Sequence, residues 1–139
     1  MNTKKKRVII DTNFLLLPGQ YHFDIFSEIE KVMNNQYSLY IIDKTIDELN
    51  GILTVAKLKD RTAAKIALEL ISLKGVKQIS SKNMEGRIVD DLLVEIADSD
   101  TFICTNDKEL KKRLLQSGVT IIELMKKSYL RINRKKKAR

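Results

Sequence analysis

Cysteine, histidine and proline each occur once in the 139 residues, tryptophan is absent, and there are only five glycines. A single cysteine excludes a disulfide within the chain. One His and one Cys cannot supply the nitrogen and sulfur ligands of a zinc centre, so a metal bound here would be held by oxygen. No apolar run approaches the roughly 20 residues needed to cross a bilayer. The basic start leads through Val8, Ile9 and Ile10 to Asp11, a charge that arrives before a signal-peptide apolar core could form. A cytoplasmic protein without a membrane partner is expected. There is no Gly-rich phosphate loop of the Walker type, which argues against NTP hydrolysis. Internal repeats and Ser- or Gly-rich linkers are also missing.

What is present suits one globular domain: 43% of residues are hydrophobic and 32% charged. A chain of this length buries roughly two thirds of its unfolded surface and needs no staple to fold. The net charge of +8 is unevenly distributed. Residues 1–7 hold four Lys or Arg and residues 126–139 hold eight, with no acid in either segment, so the 118 residues between carry 14 bases against 18 acids. We expect a domain over residues 1–125 and a basic tail over 126–139, in which Arg134, Lys135, Lys136, Lys137 and Arg139 gather a polyanion such as RNA by counterion release. The plainer alternative is a solvated tail that serves solubility.

Hydrophobic periodicity predicts strands alternating with helices. Residues 7–11 read as a buried strand, followed by a loop through Pro18 and Gly19. Ile25, Phe26, Ile29, Val32 and Met33 recur at helical spacing over residues 24–34. Residues 39–42 read as a second strand, with a helix after it burying Ile46, Leu49 and Leu53. A longer helix is predicted over residues 58–73 and stops at Gly75. Strands at 76–80, 101–105 and 119–124 alternate with helices at 90–97 and 108–116, and Gly118 marks the end of the latter helix. The pattern predicts an α/β fold, a three-layer α/β/α sandwich around a mostly parallel sheet of about five strands. Such sheets bind ligands beyond the carboxyl ends of their strands, where the strand order reverses.

Several acids fall at that edge. Asp11 follows the first strand, Asp107 follows the fourth, Asp90 and Asp91 open the helix before the fourth, and Glu48 lies in the first turn of the helix after the second. Carboxylates crowded together raise one another's pKa unless a cation compensates. Mg²⁺ or Mn²⁺ would do so, and both suit phosphodiester hydrolysis. Each acid also has a structural reading. Thr45 and Glu48 fit a capping box, as do Asn106 and Glu109, and Asp90, Asp91 and Asp107 could each complement a helix N-terminus. Asp11, at the mouth of a buried strand, is hardest to explain by packing.

Four segments carry a family resemblance. Asp11-Thr12-Asn13-Phe14-Leu15-Leu16, Ile46-Asp47-Glu48-Leu49, Asp90-Asp91-Leu92-Leu93 and Thr105-Asn106-Asp107-Lys108-Glu109-Leu110 resemble, in order, the motifs of the PIN-domain ribonucleases, over residues 7 to about 124. The resemblance implies a parallel α/β/α fold and endonucleolytic RNA hydrolysis with Mg²⁺ or Mn²⁺. It implies Asp11, Glu48, one of Asp90 and Asp91, and Asp107 as ligands, with Asn13 and Thr105 as polar supports. The Asp pair permits two registers about 100° apart on a helix, and we lean to Asp91. The small archaeal stand-alone members are the most similar. That implies either a toxin that dimerises and binds an antitoxin, or a factor with a ribosomal RNA-processing partner.

The remaining candidates are weaker. Cys104 reads as a buried hydrophobe and His22 as a loop residue, so nucleophilic catalysis has little support. Tyr21, Tyr37, Tyr40 and Tyr129 are too scattered for a base-stacking platform. A haloacid-dehalogenase-like site would need Asp where Asn13 stands, and a receiver domain is met only loosely by Lys126. The rival from another class is a non-catalytic RNA-binding or assembly factor that keeps the fold.

Overall fold

The computed structural model describes residues 4–55, 57–82, 84 and 88–134. Its sheet has six strands in the order β3-β2-β1-β4-β5-β6. β1 (Lys6–Ile10), β2 (Tyr37–Ile42), β3 (Lys77–Ile79), β4 (Thr101–Cys104) and β5 (Thr120–Met125) run parallel to one another. β6 (Tyr129–Asn133) closes one edge antiparallel to β5. The helices are α1 (Thr12–Leu15), α2 (Leu17–Tyr21), α3 (Ile25–Val32), α4 (Asp43–Val55), α5 (Leu58–Leu73), α6 (Val89–Ile96) and α7 (Lys108–Gln116).

Alternation along the strands splits the core between two faces. Val8, Ile10, Phe102 and Cys104 point to the side covered by α1 to α5, while Ile9 and Ile103 meet Leu92 and Leu93 of α6 and Leu110 and Leu114 of α7. This is the expected three-layer sandwich. No described helix is long and apolar enough to cross a membrane.

Two elements differ from expectation. The stretch through Pro18 and Gly19 is helical, not a loop. Pro18 stands in the first turn of α2, where its missing N–H costs nothing. Gly19 lets α2 lie directly on α5, since a Cβ there would come within 2.5 Å of the Ala63 Cα. The second difference is β6, which takes up residues 129–133 of the segment read as a tail. Its Leu130 is buried in the core and Ile132 packs against it, while Arg131 is exposed. That alternation is a half-buried strand pattern set among basic residues. Of the basic tail positions, Arg134 is exposed, and Lys135, Lys136, Lys137 and Arg139 lie outside the described residues.

Candidate active site

β1 lies between β2 and β4, so the strand order reverses beside it. The parallel register pairs Ile10 with Cys104 and brings Asp11 next to Thr105 just past both strands. The Asp11 amide donates to the Cys104 carbonyl (3.0 Å), and the Thr105 hydroxyl donates to Asp11 Oδ2 (2.9 Å). Asp11 precedes α1 but makes no capping bond to that helix through its side chain. It is only 4% exposed. Burial is the main cause that pushes its carboxyl from the usual 3.8 up to about 6; repulsion from Asp90 and Glu48 adds to it, and the Thr105 hydroxyl and Thr12 amide oppose it.

Asp11, Glu48 and Asp90 line one cleft of about 590 Å³, with Thr12, Asn13 and an apolar rim that includes Val55 and Ile88. Asp90 is raised as well, by burial first and then by repulsion from Asp107 and Glu48, with Arg113 opposing. Each of these two acids therefore feels other acids across the crevice. Asp107 itself lines an adjoining cleft that shares Asn13 with the first.

The structural readings of the acids sort unevenly. The capping box expected of Thr45 and Glu48 does not form, because α4 begins at Asp43 and Thr45 is buried inside it. Glu48 therefore stands in the second turn, not the first, and accepts from the Thr12 hydroxyl. The Thr12 hydroxyl oxygen in turn accepts from the Thr45 hydroxyl (3.1 Å), since its one proton is given to Glu48, and the pair of bonds ties α1 to α4. The second capping box is replaced by a different cap. Asp107 is the N-cap of α7, and its Oδ1 accepts from the Leu110 amide (2.9 Å). Asn106 instead accepts from the Leu124 amide on β5 (2.8 Å). Asp107 thus has a structural duty on one oxygen. Its amide donates to the Thr105 hydroxyl oxygen (3.1 Å), so Thr105 links Asp11 to the Asp107 loop.

The Asp pair separates by one helical step. Asp91 pairs with Arg113 of α7 (3.0 Å), and its side chain is 46% exposed. Asp90 is the member that lines the acidic cleft. Asn13 is exposed at its rim. His22 lines a separate cleft with Pro18, Phe23 and Asp24. Cys104 is fully buried, and burial, with Asp11 nearby, pushes its thiol far up, as suits a core position.

The sequence reading passed over Glu123, a charge inside an apolar strand and only 3% exposed. It accepts from Lys111 Nζ (2.7 Å), Arg131 Nε (2.8 Å) and Asn133 Nδ2 (3.1 Å). Burial alone would raise its pKa, but the Lys111 and Arg131 bonds hold it below the usual carboxylate range. At the other end of the sheet, Lys4 and Lys6 share the single carboxylate of Asp100 (2.9 and 2.8 Å), so two of the N-terminal bases are held at the sheet edge.

Among the described residues, no three or more His, Cys, Asp or Glu side chains are grouped so that they could hold one metal ion as placed. The donor chemistry nevertheless fits a hard divalent cation. The acidic cleft offers only oxygen, and its carboxylates destabilise one another in the absence of positive charge. Mg²⁺ dehydrates reluctantly and is commonly held directly by one or two carboxylates, so a closed cage is not required.

A family described as a PIN like domain matches residues 8–127. Over 128 residues the chain is 25% identical to Ribonuclease VapC4 of Methanocaldococcus jannaschii, covering 91% of this chain and 95% of that one. It is 26% identical over 122 residues to Ribonuclease VapC9 of Archaeoglobus fulgidus, covering 86% and 84%. Among solved structures it resembles the PIN domain endonuclease Utp24, with a TM-score of 0.75 at 25% identity, over 92% of this chain and 91% of the other.

Proposed function

The chain belongs to the PIN-like domain family, and on that premise we propose that it is a divalent-metal-dependent endoribonuclease whose site is the crevice beyond β1 and β4. Family and fold support a nuclease role. RNA as the substrate is our inference from the ribonuclease relatives and from the motif resemblance. The observation that carries the proposal is the meeting of Asp11, Glu48 and Asp90 in one cleft with Asp107 across its rim, where, among the described residues, none of the four forms a salt bridge and Glu48 repels both Asp11 and Asp90.

In this reading Asp11, Glu48 and Asp90 hold Mg²⁺ or Mn²⁺, with Asp107 across the shared rim. Asp90 replaces Asp91 in the set we favour, because Asp91 is engaged by Arg113. The bound ion would activate water and stabilise the charge that builds on the phosphate. Thr105 positions the Asp11 carboxylate, and Asn13 offers a neutral amide between the two clefts. Asp11, raised to about 6, is mostly ionised near neutrality and gives up its remaining protons as positive charge arrives.

The test is cleavage of a labelled RNA with Mn²⁺ or Mg²⁺, set against the same protein in EDTA. Metal-dependent internal cleavage by the wild type, lost in Asp11→Asn, is the expected result. A wild type that binds RNA but never cleaves it would favour the assembly-factor alternative.

A further inference from the structure

The β5–β6 hairpin turns through Met125, Lys126, Lys127 and Ser128, closed by a hydrogen bond from the Ser128 amide to the Met125 carbonyl (2.9 Å). Lys126 and Lys127 have φ of +52° and +53°, the sign that both central residues of a type I′ turn require. Asn-Gly is strongly preferred there, because a side chain with a Cβ is strained in the left-handed region. Two lysines are a poor choice for the turn and call for another reason.

Their placement supplies one. Both line the cleft of about 560 Å³ that meets the acidic cleft at Asn13, together with Lys108 and Lys111. Lys111 is occupied by Glu123, whereas among the described residues no carboxylate pairs with Lys108, Lys126 or Lys127. Lys127 Nζ lies 5.0 Å from the centroid of the Tyr21 ring, a contact that attracts a cation without neutralising it. Tyr21 thus holds the ammonium over the cleft.

We propose that the strained tip of the β5–β6 hairpin is a phosphate clamp, in which Lys126 and Lys127, with Lys108 on the same cleft, grip the RNA backbone beside the acidic cleft. The clamp rests on the ribonuclease reading for its ligand but not for its test. The hairpin tip is fixed to the sheet by the β5–β6 pairing and lines the cleft that Asp107 lines as well.

The experiment replaces the tip with Asn-Gly (K126N/K127G) in the full chain and measures anisotropy of a labelled single-stranded oligoribonucleotide in EDTA across a salt series. The turn-favouring pair should raise the unfolding midpoint. At the same time it should weaken binding about tenfold and flatten the slope of log affinity against log salt by roughly 1 to 1.5, as expected for losing two phosphate contacts. Should the midpoint fall instead, K126Q/K127Q, which keeps the side-chain length, must show the same loss of affinity and slope. Unchanged affinity and slope would overturn the clamp, as would an equal loss from K59Q/K65Q on the exposed face of α5. Because binding is read without metal, failure of the clamp leaves the nuclease reading standing, and a wild type that binds but does not cleave leaves the clamp standing alone.

Discussion

Two carboxylates are buried to almost the same extent, Asp11 at 4% and Glu123 at 3% exposed, yet they have opposite electrostatics. Glu123 is surrounded by Lys111, Arg131 and Asn133 and is held in its charged form. Asp11 is disfavoured in its charged form by burial first, which the Thr105 hydroxyl only partly offsets, and then by its neighbours Asp90 and Glu48. A buried charge that is satisfied locks β6 and α7 to β5. A buried carboxylate short of compensation either takes up a proton or, in the reading proposed for Asp11, meets a cation. Burial alone does not separate structural from functional acids; the sign of their surroundings does.

The largest effect expected from this contrast is on cleavage. Asp11→Asn or Asp90→Asn should lower metal-dependent RNA cleavage by at least about 10²-fold, measured as initial rate against wild type. In EDTA the same Asp11→Asn should stabilise the fold. The folded-state pKa of Asp11 is raised from 3.8 to about 6, so the folded chain binds more protons than the unfolded one between those values, and stability falls as pH rises through that window. Removing the charge recovers about 2–3 kcal/mol at pH 7 and close to nothing below pH 4, which denaturant melts at both pH values would read.

Glu123→Gln should do the reverse, costing about 2–3 kcal/mol at neutral pH because Lys111 and Arg131 lose a charged acceptor. Its wild-type pKa is lowered, so the stabilisation it provides is present above the unfolded value and lost as pH falls through the folded one. The deficit of the variant should therefore shrink in acid. Opposite pH trends for the two variants would sharpen the comparison, and parallel trends would break it.

A smaller effect is expected at the link between Asp11 and the Asp107 loop. Thr105→Val removes the hydroxyl that donates to Asp11 and accepts from the Asp107 amide. We expect a loss of about 1–2 kcal/mol in stability and an acid limb of the pH–rate profile moved to higher pH. Asp91→Asn should change least. Its half-exposed pair with Arg113 is worth under about 1 kcal/mol, and cleavage should remain near the wild-type rate. A cleavage loss at Asp91 equal to that at Asp90 would restore the register we have set aside.

The alternation of strands and helices was legible because each apolar run carries its own period, and α5 and α7 match their expected bounds residue for residue. Asp11 and Asp107 were legible as acids at strand ends. What escaped the sequence depends on partners remote along the chain. The α2 helix needs Ala63 beneath Gly19, and a Pro-Gly pair by itself reads as a loop. β6 carries its apolar alternation inside a run of bases, which resembles a solvated tail. The role of Glu123 requires Lys111 and Arg131 from two other elements, though a lone acid inside an apolar strand was a signal available to read. The choice between Asp90 and Asp91 turns on one helical step, and the burial of Leu92 and Leu93 against the sheet together with Arg113 on α7 determines which acid faces the cleft.

The most direct test of the acidic crevice is calorimetric titration of Mn²⁺ into the metal-free protein at pH 6 and pH 8, in buffers of differing ionisation enthalpy. The account predicts binding accompanied by proton release at pH 6, where Asp11 is about half protonated, with less release at pH 8 and weaker binding in Asp11→Asn. Absence of binding into the millimolar range, or binding that Asp11→Asn leaves untouched, would contradict it.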